Sequence, residues 1–118
     1  MDMGKTDVPG LIRAYYRAYE TKDRAVLEGL VGEGFTFTSP YDDHIDRAAY
    51  FERCWPNSQA IRRFALERLF DRGDEALVQY ELELASGTRF RNVEHFRFED
   101  GKVREVVVYF GSLPESGP

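Results

Sequence analysis

The segment from Arg89 to Gly111 constrains the fold most strongly, because its side chains alternate in polarity with a period of two. One set of alternate positions holds three aromatic and two polar residues, namely Phe90, Asn92, Glu94, Phe96 and Phe98. The other set is mainly basic, and the alternation predicts a strand between two different environments. Glu-Asp-Gly-Lys at 99–102 favours a tight turn, since glycine tolerates positive φ. A second strand over 103–110 would complete a hairpin.

Glu94 is the unusual residue of this hairpin, because its carboxyl group shares a face with phenylalanines. An unpaired buried carboxylate is unfavourable, so the group must find a partner or keep its proton. Glu94 is therefore the first candidate site residue. Two interpretations remain open at this point: the side chain faces a ligand, or it only completes a hydrogen-bond network in the core.

The elements before residue 60 are predicted from capping residues and apolar spacing. They are a helix from about Val8 to Thr21 capped by Asp7, a short helix after Asp23 through Val31, a strand over Phe35–Ser39 stopped by Pro40, and a helix from Arg47 to about Trp55 capped by Asp46. Residues 41–44 are predicted to form a polar loop between the strand and the last of these helices.

The remainder of the chain is predicted as four consecutive antiparallel strands, because turn sequences separate residues 61–70, 75–85, 89–98 and 103–110. The predicted fold class is therefore α+β, with three N-terminal helices packed on one face of a curved, mostly antiparallel sheet. No linker or repeat divides the sequence. We expect one domain over residues 1–118, with flexible tails at 1–7 and 113–118.

Composition excludes several classes of function. A formal net charge of −5 argues against sequence-independent nucleic-acid binding, which requires clustered Lys and Arg. The single cysteine, Cys54, excludes an internal disulfide and a cysteine-based structural zinc site. No stretch approaches the roughly 20 apolar residues of a membrane span, and the N-terminus lacks the apolar core of a signal peptide. We predict a cytoplasmic protein that binds neither nucleic acid nor membranes.

The predicted loop at 41–44 supplies two candidate catalytic residues, Asp42 and His44. Imidazole is the usual acid–base group near neutral pH, and His44 would serve if the loop folds over a pocket. The alternative is a solvated loop with no chemical role. Asp-Asp-His lacks a known metal-ligand spacing and no glycine-rich phosphate motif occurs, so we expect neither a metal nor a cofactor.

The order of elements and the hairpin resemble the NTF2-like superfamily, which includes SnoaL-like proteins and ketosteroid isomerases. The resemblance is most specific where an acid and His precede Phe-Arg-Phe at 94–98 and where the hairpin ends in Phe110-Gly111. It implies a cone, in which a curved sheet wraps around a long helix and a pocket opens at one end. It also implies a homodimer through the outer sheet face, although solvated pairing of the outer arginines with Glu81 and Glu83 is the alternative.

The same resemblance implies roles for individual residues. In ketosteroid isomerases a first-helix Tyr and a strand acid form an oxyanion hole, and these match Tyr15 and Glu94. The general base of that family is an Asp before Pro, and Ser39 stands at that position, before Pro40. Serine is a poor base unless it is activated. His44 or Asp42 is therefore the candidate for moving the proton.

Two hypotheses for function follow. The first is a SnoaL-like enzyme or binding protein with an apolar pocket, which catalyses cofactor-independent proton transfer of the isomerase or dehydratase type on a small carbonyl or phenolic compound. Tyr15, Glu94, His44 and Asp42 would be catalytic, and the expected binding residues are Tyr19, Phe37, Ser39, Tyr41, Trp55, Asn92, Phe96 and Phe110. The alternative is a non-catalytic ligand-binding or dimerisation domain.

Overall fold

A computed structural model of the chain describes residues 7–111. Three helices, α1 to α3, and six strands, β1 to β6, make up this part of the chain, with a short 3-10 helix before β3. In chain order they are α1 Val8–Thr21, α2 Arg24–Leu30, β1 Val31–Ser39, β2 Asp42–Asp46, α3 Arg47–Arg53, the 3-10 helix Trp55–Ala60, β3 Ile61–Arg72, β4 Glu75–Leu84, β5 Arg89–Glu99 and β6 Lys102–Phe110. The two predicted tails lie outside the described residues, apart from Asp7.

The strands form one sheet in the order β2-β1-β6-β5-β4-β3. All neighbours are antiparallel except β1 and β6, which run parallel. The predicted α+β class is confirmed, and the hairpin of β5 and β6 occupies the centre of the sheet. No helix among residues 7–111 is long and apolar enough to cross a membrane.

The first helix packs against the inner face of the sheet through its aromatic stripe. Tyr15 and Tyr16 contact Phe96 of β5, with ring centroids 5.2 and 5.9 Å apart. The helix begins where the Asp7 carboxylate accepts a hydrogen bond from the Gly10 amide, and it ends at Lys22 in a left-handed conformation. The helix is thereby held along the sheet with its tyrosines turned inward.

The alternation predicted for β5 is present. Its inner positions Asn92, Glu94, Phe96 and Phe98 are all buried, whereas Arg89, Arg91 and Arg97 are exposed on the opposite face. Asn92 pairs with Tyr80 of β4, so these two side chains lie side by side on the inner face. The central hairpin therefore presents both apolar and polar groups to the interior.

Three predicted boundaries are wrong. Residues 42–46 are not a loop but the strand β2, which pairs with β1 through Thr36 and Asp46. The first strand begins at Val31, because parallel pairing with β6 extends it through two glycines. The third helix ends at Arg53, since Pro56 lies in a following 3-10 turn rather than an α-helix. Asp46 caps that helix as predicted, accepting from the Ala49 amide at 2.9 Å.

Candidate functional site

A cavity of about 410 Å³ lies between α1 and the inner face of the sheet. Its walls are mainly aromatic and aliphatic side chains, and Tyr41, which is 77% exposed, marks its mouth. Nine of the residues expected to form a site line this cavity: Tyr15, Tyr19, Phe37, Ser39, Tyr41, Asp42, Asn92, Glu94 and Phe110. The structure therefore brings most of the expected residues around one space.

Glu94 is a buried carboxyl group in the cavity wall, with only 7% of its surface exposed. Tyr16 Oη donates to its Oε1 at 2.5 Å, and Tyr80 Oη donates to its Oε2 at 2.7 Å. Asn92 Nδ2 in turn donates to Tyr80 Oη at 3.1 Å. A hydrogen-bonded chain thus runs across α1, β4 and β5 and fixes the carboxyl group at the wall.

The environment of Glu94 moves the pKa of its carboxyl group toward neutral pH. Burial raises the pKa of Glu94 to about 7, and the hydrogen bonds from Tyr16 and Tyr80 oppose this rise only in part. Within residues 7–111, these two hydroxyls are the hydrogen-bond donors to the carboxyl group. A carboxyl group with this pKa can both give and take a proton near pH 7.

Tyr15 and Glu94, the expected oxyanion-hole pair, share no hydrogen bond, and it is the next tyrosine on the helix, Tyr16, that donates to Glu94. Tyr15 Oη lies 2.5 Å from Tyr50 Oη, and Tyr50 also hydrogen bonds with Tyr19 Oη. Burial raises the pKa values of Tyr15, Tyr19 and Tyr50 well above the ordinary value of a tyrosine hydroxyl. Each of them therefore keeps its proton near neutral pH.

The hydroxyls of the three phenols can be arranged so that one proton is free at the cavity wall. Tyr15, Tyr50 and Tyr19 carry three hydroxyl protons but share two hydrogen bonds. Tyr50 is fully buried and lies outside the cavity lining, whereas Tyr15 and Tyr19 both line the cavity. If Tyr50 donates to one of them and accepts from the other, the remaining proton belongs to a hydroxyl at the cavity wall.

A second carboxyl group, that of Asp42, lies near the mouth of the cavity. Its Oδ1 forms an ion pair with Arg53 Nη2 at 2.7 Å, and its Oδ2 accepts a hydrogen bond from Ser39 Oγ at 3.3 Å. The side chain is mostly buried and lines the cavity. The carboxyl group of Asp42 thus lies beside the Ser39 hydroxyl at the cavity wall.

His44 does not line the cavity, in contrast to the expectation for this residue. Its side chain is 63% exposed, with Nδ1 2.6 Å from Asp43 Oδ1 and Nε2 3.5 Å from Glu105 Oε2. Its backbone adopts a positive φ of 52°, and its amide donates to Thr38 Oγ1. This local turn in β2 directs the imidazole to the side of Glu105, away from the cavity lining.

Two of the expected binding residues belong to the core instead. Phe96 is fully buried beneath Tyr15 and Tyr16, and Trp55 is buried against Tyr19 at 5.1 Å between ring centroids. Neither lines the cavity. Cys54 does line it, but burial raises the pKa of its thiol to about 11, so the thiol stays protonated and a poor nucleophile.

The sequence analysis gave no site role to Tyr16 and Tyr50 and did not predict the hydrogen bond of Tyr80 with Glu94. Tyr80 carries a signal, since it alternates in phase with Val78 and Leu82 on the inner face of β4. Tyr16 is adjacent to Tyr15, and a helical stripe about 100° wide includes both. Nothing in the sequence around Tyr50 indicates that its hydroxyl joins two tyrosines of another helix.

Arginines on the outer face of the sheet form ion pairs, including ones with the expected partners Glu81 and Glu83. Arg91 lies 2.9 Å from Glu67 and 3.7 Å from Glu81, and Arg97 lies 3.2 Å from Glu105. An apolar row crosses the same face through paired strands, at Phe70, Leu77 and Val107, with His95 between the last two. Phe70 is 67% exposed.

A curved sheet that encloses a tyrosine-lined cavity with a long helix defines an NTF2-like protein. The sequence profile of the SnoaL-like domain matches residues 12–106, so the chain belongs to the SnoaL-like family. A search of the curated proteins finds no match.

Solved structures share this fold at low sequence identity. A candidate ketosteroid isomerase from Kribbella flavida is similar with a TM-score of 0.75 and 22% identity, over 92% of this chain and 81% of that one. IdmH, a candidate polyketide cyclase from Streptomyces antibioticus, is similar with a TM-score of 0.74 and 16% identity, over 89% and 92%. A de novo designed protein with a curved β-sheet reaches a TM-score of 0.75 at 10% identity, over 87% and 84%. At these identities the likeness shows the fold alone.

Proposed function

We propose that this protein binds a compact apolar molecule with a carbonyl or phenolic oxygen and catalyses a cofactor-independent proton transfer on it. The observation that carries the proposal is Glu94, a carboxyl group buried in a cavity wall and held there by two tyrosine hydroxyls. Buried carboxyl groups with a strongly shifted pKa occur preferentially at functional sites. The names of two solved relatives, a candidate ketosteroid isomerase and a candidate polyketide cyclase, are compatible with this proposal.

The proposed reaction uses two ends of the cavity. Asp42 takes a proton from a carbon beside the carbonyl, and the C–H electron pair forms a carbon–carbon double bond as the carbonyl electrons move to oxygen. The free phenolic proton of Tyr15 or Tyr19 hydrogen bonds with that oxygen. Where the substrate carries a further carbon–carbon double bond next to that carbon, the resulting anion is a dienolate. Asp42 returns the proton to its far carbon and the carbonyl re-forms, which gives an isomer without net oxidation.

The charge of Glu94 controls how well the cavity tolerates the negative oxygen. The neutral carboxyl group adds no repulsion, whereas the carboxylate opposes a nearby developing anion. With a pKa of about 7, the group passes between these states in the neutral range. Glu94 is therefore proposed as the residue that sets the pH range of binding and turnover.

Binding of planar phenols tests the proposed site. The double variant Tyr15→Phe/Tyr19→Phe is expected to weaken binding about tenfold, because it removes both cavity-lining hydroxyls that can supply the free proton. Tyr41→Phe is the matched control, since Tyr41 lines the mouth but its hydroxyl has no role in the proposal. Calorimetry would measure affinity, and Trp55, which contacts Tyr19, offers a fluorescence signal. Equal affinities in all three proteins would contradict the role of these two hydroxyls.

A phenol that is ionised throughout pH 6–8 tests the role of Glu94 in the same assay. Its binding to the wild type is expected to weaken as the pH rises through 7, and Glu94→Gln is expected to remove that dependence. If no phenol binds while all variants stay folded, the alternative function is favoured. The protein would then be a non-catalytic NTF2-like domain whose tyrosines only support the core.

We also propose that two copies of the chain associate through the outer face of the sheet. The apolar row of Phe70, Leu77 and Val107 lies on the same face as the ion pairs, and Phe70 and Leu77 are both exposed. Light scattering is expected to report a dimer, and Leu77→Lys to convert it to a monomer. A wild-type monomer at high concentration would contradict this assembly.

Location in the cytoplasm stays a prediction from the sequence.

A further inference from the structure

Asn92 presents an unused hydrogen-bond acceptor in the wall of the cavity. The side chain is only 4% exposed, and it lines the cavity beside Glu94. Its Nδ2 donates to Tyr80 Oη at 3.1 Å. Its Oδ1 is buried and has no hydrogen-bond partner among residues 7–111.

The hydrogen-bond chain fixes which end of the amide is unused. Tyr80 donates its single proton to Glu94 Oε2 at 2.7 Å, so its oxygen is left to accept. Only the Nδ2 end of Asn92 can donate to that oxygen. The Oδ1 end must therefore find a donor elsewhere, and Tyr80 holds it in that orientation.

Asn92 differs from the other buried polar groups that lack a hydrogen bond. In the described part of the chain these are Asp42 Oδ1 and Ser58 Oγ, besides Asn92 Oδ1. Asp42 Oδ1 has Arg53 as an ion-pair partner at 2.7 Å, and Ser58 does not line the cavity. A buried acceptor in a native protein normally accepts a hydrogen bond. For Asn92 Oδ1, the donor would lie in the cavity.

We infer that Asn92 Oδ1 accepts a hydrogen bond from the ligand, so that the cavity selects compact apolar molecules carrying a hydroxyl or N–H donor. A phenol or enol meets this requirement, whereas an ether or a halide of the same shape leaves the acceptor unmet. A site with an unmet polar group discriminates against the analogue that lacks the donor. The inference rests on the proposed function, since it concerns a ligand in the same cavity.

The test compares 2-naphthol with 2-fluoronaphthalene, which is similar in shape but has no donor. Calorimetry at pH 8 would measure both ligands with the wild type and Asn92→Leu, because Glu94 is then largely ionised and Tyr80 donates to it. The preference of the wild type for naphthol is expected to fall about tenfold in Asn92→Leu. Asn57→Leu is the matched control, because Asn57 lines the same cavity but is exposed. It should keep the preference.

Each outcome separates the inference from the function on which it rests. A preference for naphthol that survives in folded Asn92→Leu would overturn the role of Asn92 while leaving the proposed pocket intact. A wild type that binds neither ligand would overturn both. If Asn92→Leu does not fold, Asn92→Ala applies the same comparison, since alanine also lacks the acceptor. Circular dichroism of each variant would show which case applies.

Discussion

Wild-type protein is expected to lose about 3 kcal/mol of stability, relative to Glu94→Gln, between pH 4.5 and pH 8. In the unfolded chain Glu94 titrates near its ordinary pKa of 4.5, whereas burial raises the pKa of the folded protein to about 7. The folded state therefore holds more protons between these values. Stability from the protonated group is complete below pH 4.5 and falls as the pH rises through 7.

The measurement is the difference in unfolding free energy between wild type and Glu94→Gln, taken from urea titrations at several pH values. Using the difference cancels the contributions of all other titrating groups. Glu83→Gln is the control with the opposite sign. Its arginine partners, Arg63 first, lower the pKa of Glu83, so its contribution is lost only as the pH falls below 4.5. A wild-type difference that stays constant from pH 4.5 to 8 would show that Glu94 is not held in a raised-pKa environment.

Phe96→Ala is expected to cost about 3–5 kcal/mol of unfolding free energy. Phe96 is fully buried and touches Tyr15 and Tyr16 edge-on and Phe98 in a stacked arrangement. Truncation removes these contacts and leaves a cavity beneath the two tyrosines. Phe96→Leu keeps most of the volume and is expected to cost less.

Variants of Phe96 and Phe110 distinguish a residue of the hydrophobic core from a residue that lines the binding cavity. Phe110 lines the cavity and is only half-buried, so Phe110→Ala should weaken phenol binding with a smaller loss of stability. Phe96→Leu should leave phenol binding unchanged. Unfolding titrations and calorimetry on the same samples would test both expectations. Loss of binding in folded Phe96→Leu, with no loss in Phe110→Ala, would reverse the assignment.

The sequence predicts the central hairpin well because its two faces meet different environments. The inner residues of β5 are three phenylalanines with Asn92 and Glu94. A shift of the strand register by one residue would turn all of them to the outer face. The strand β2 could not be predicted in the same way. Its five residues are mostly acidic, and β1 alone pairs with them, so the pairing depends on a neighbour already in place.

The site is less predictable than the fold, since its hydrogen bonds join residues far apart in the chain. A choice between Tyr15 and Tyr16 depends on the rotation of α1, which packing on the sheet decides. The link from Tyr50 to Tyr15 and Tyr19 depends on how α3 meets α1. By contrast, Glu94 is identifiable from sequence because its burial follows from strand alternation alone.

The parallel contact of β1 with β6 has a consequence for how the chain reaches this structure. Strands β3 to β6 pair with their sequence neighbours and can assemble locally, but Val31 pairs with Val103, roughly 70 residues further along. Closing so long a loop is entropically unfavourable. It is compensated only when β3 to β6 have formed a sheet, in which the edge of β6 can pair with β1. Residues of α1 and β1 line the cavity together with residues of β3 to β6. The cavity is thus complete only when β1 has paired with β6.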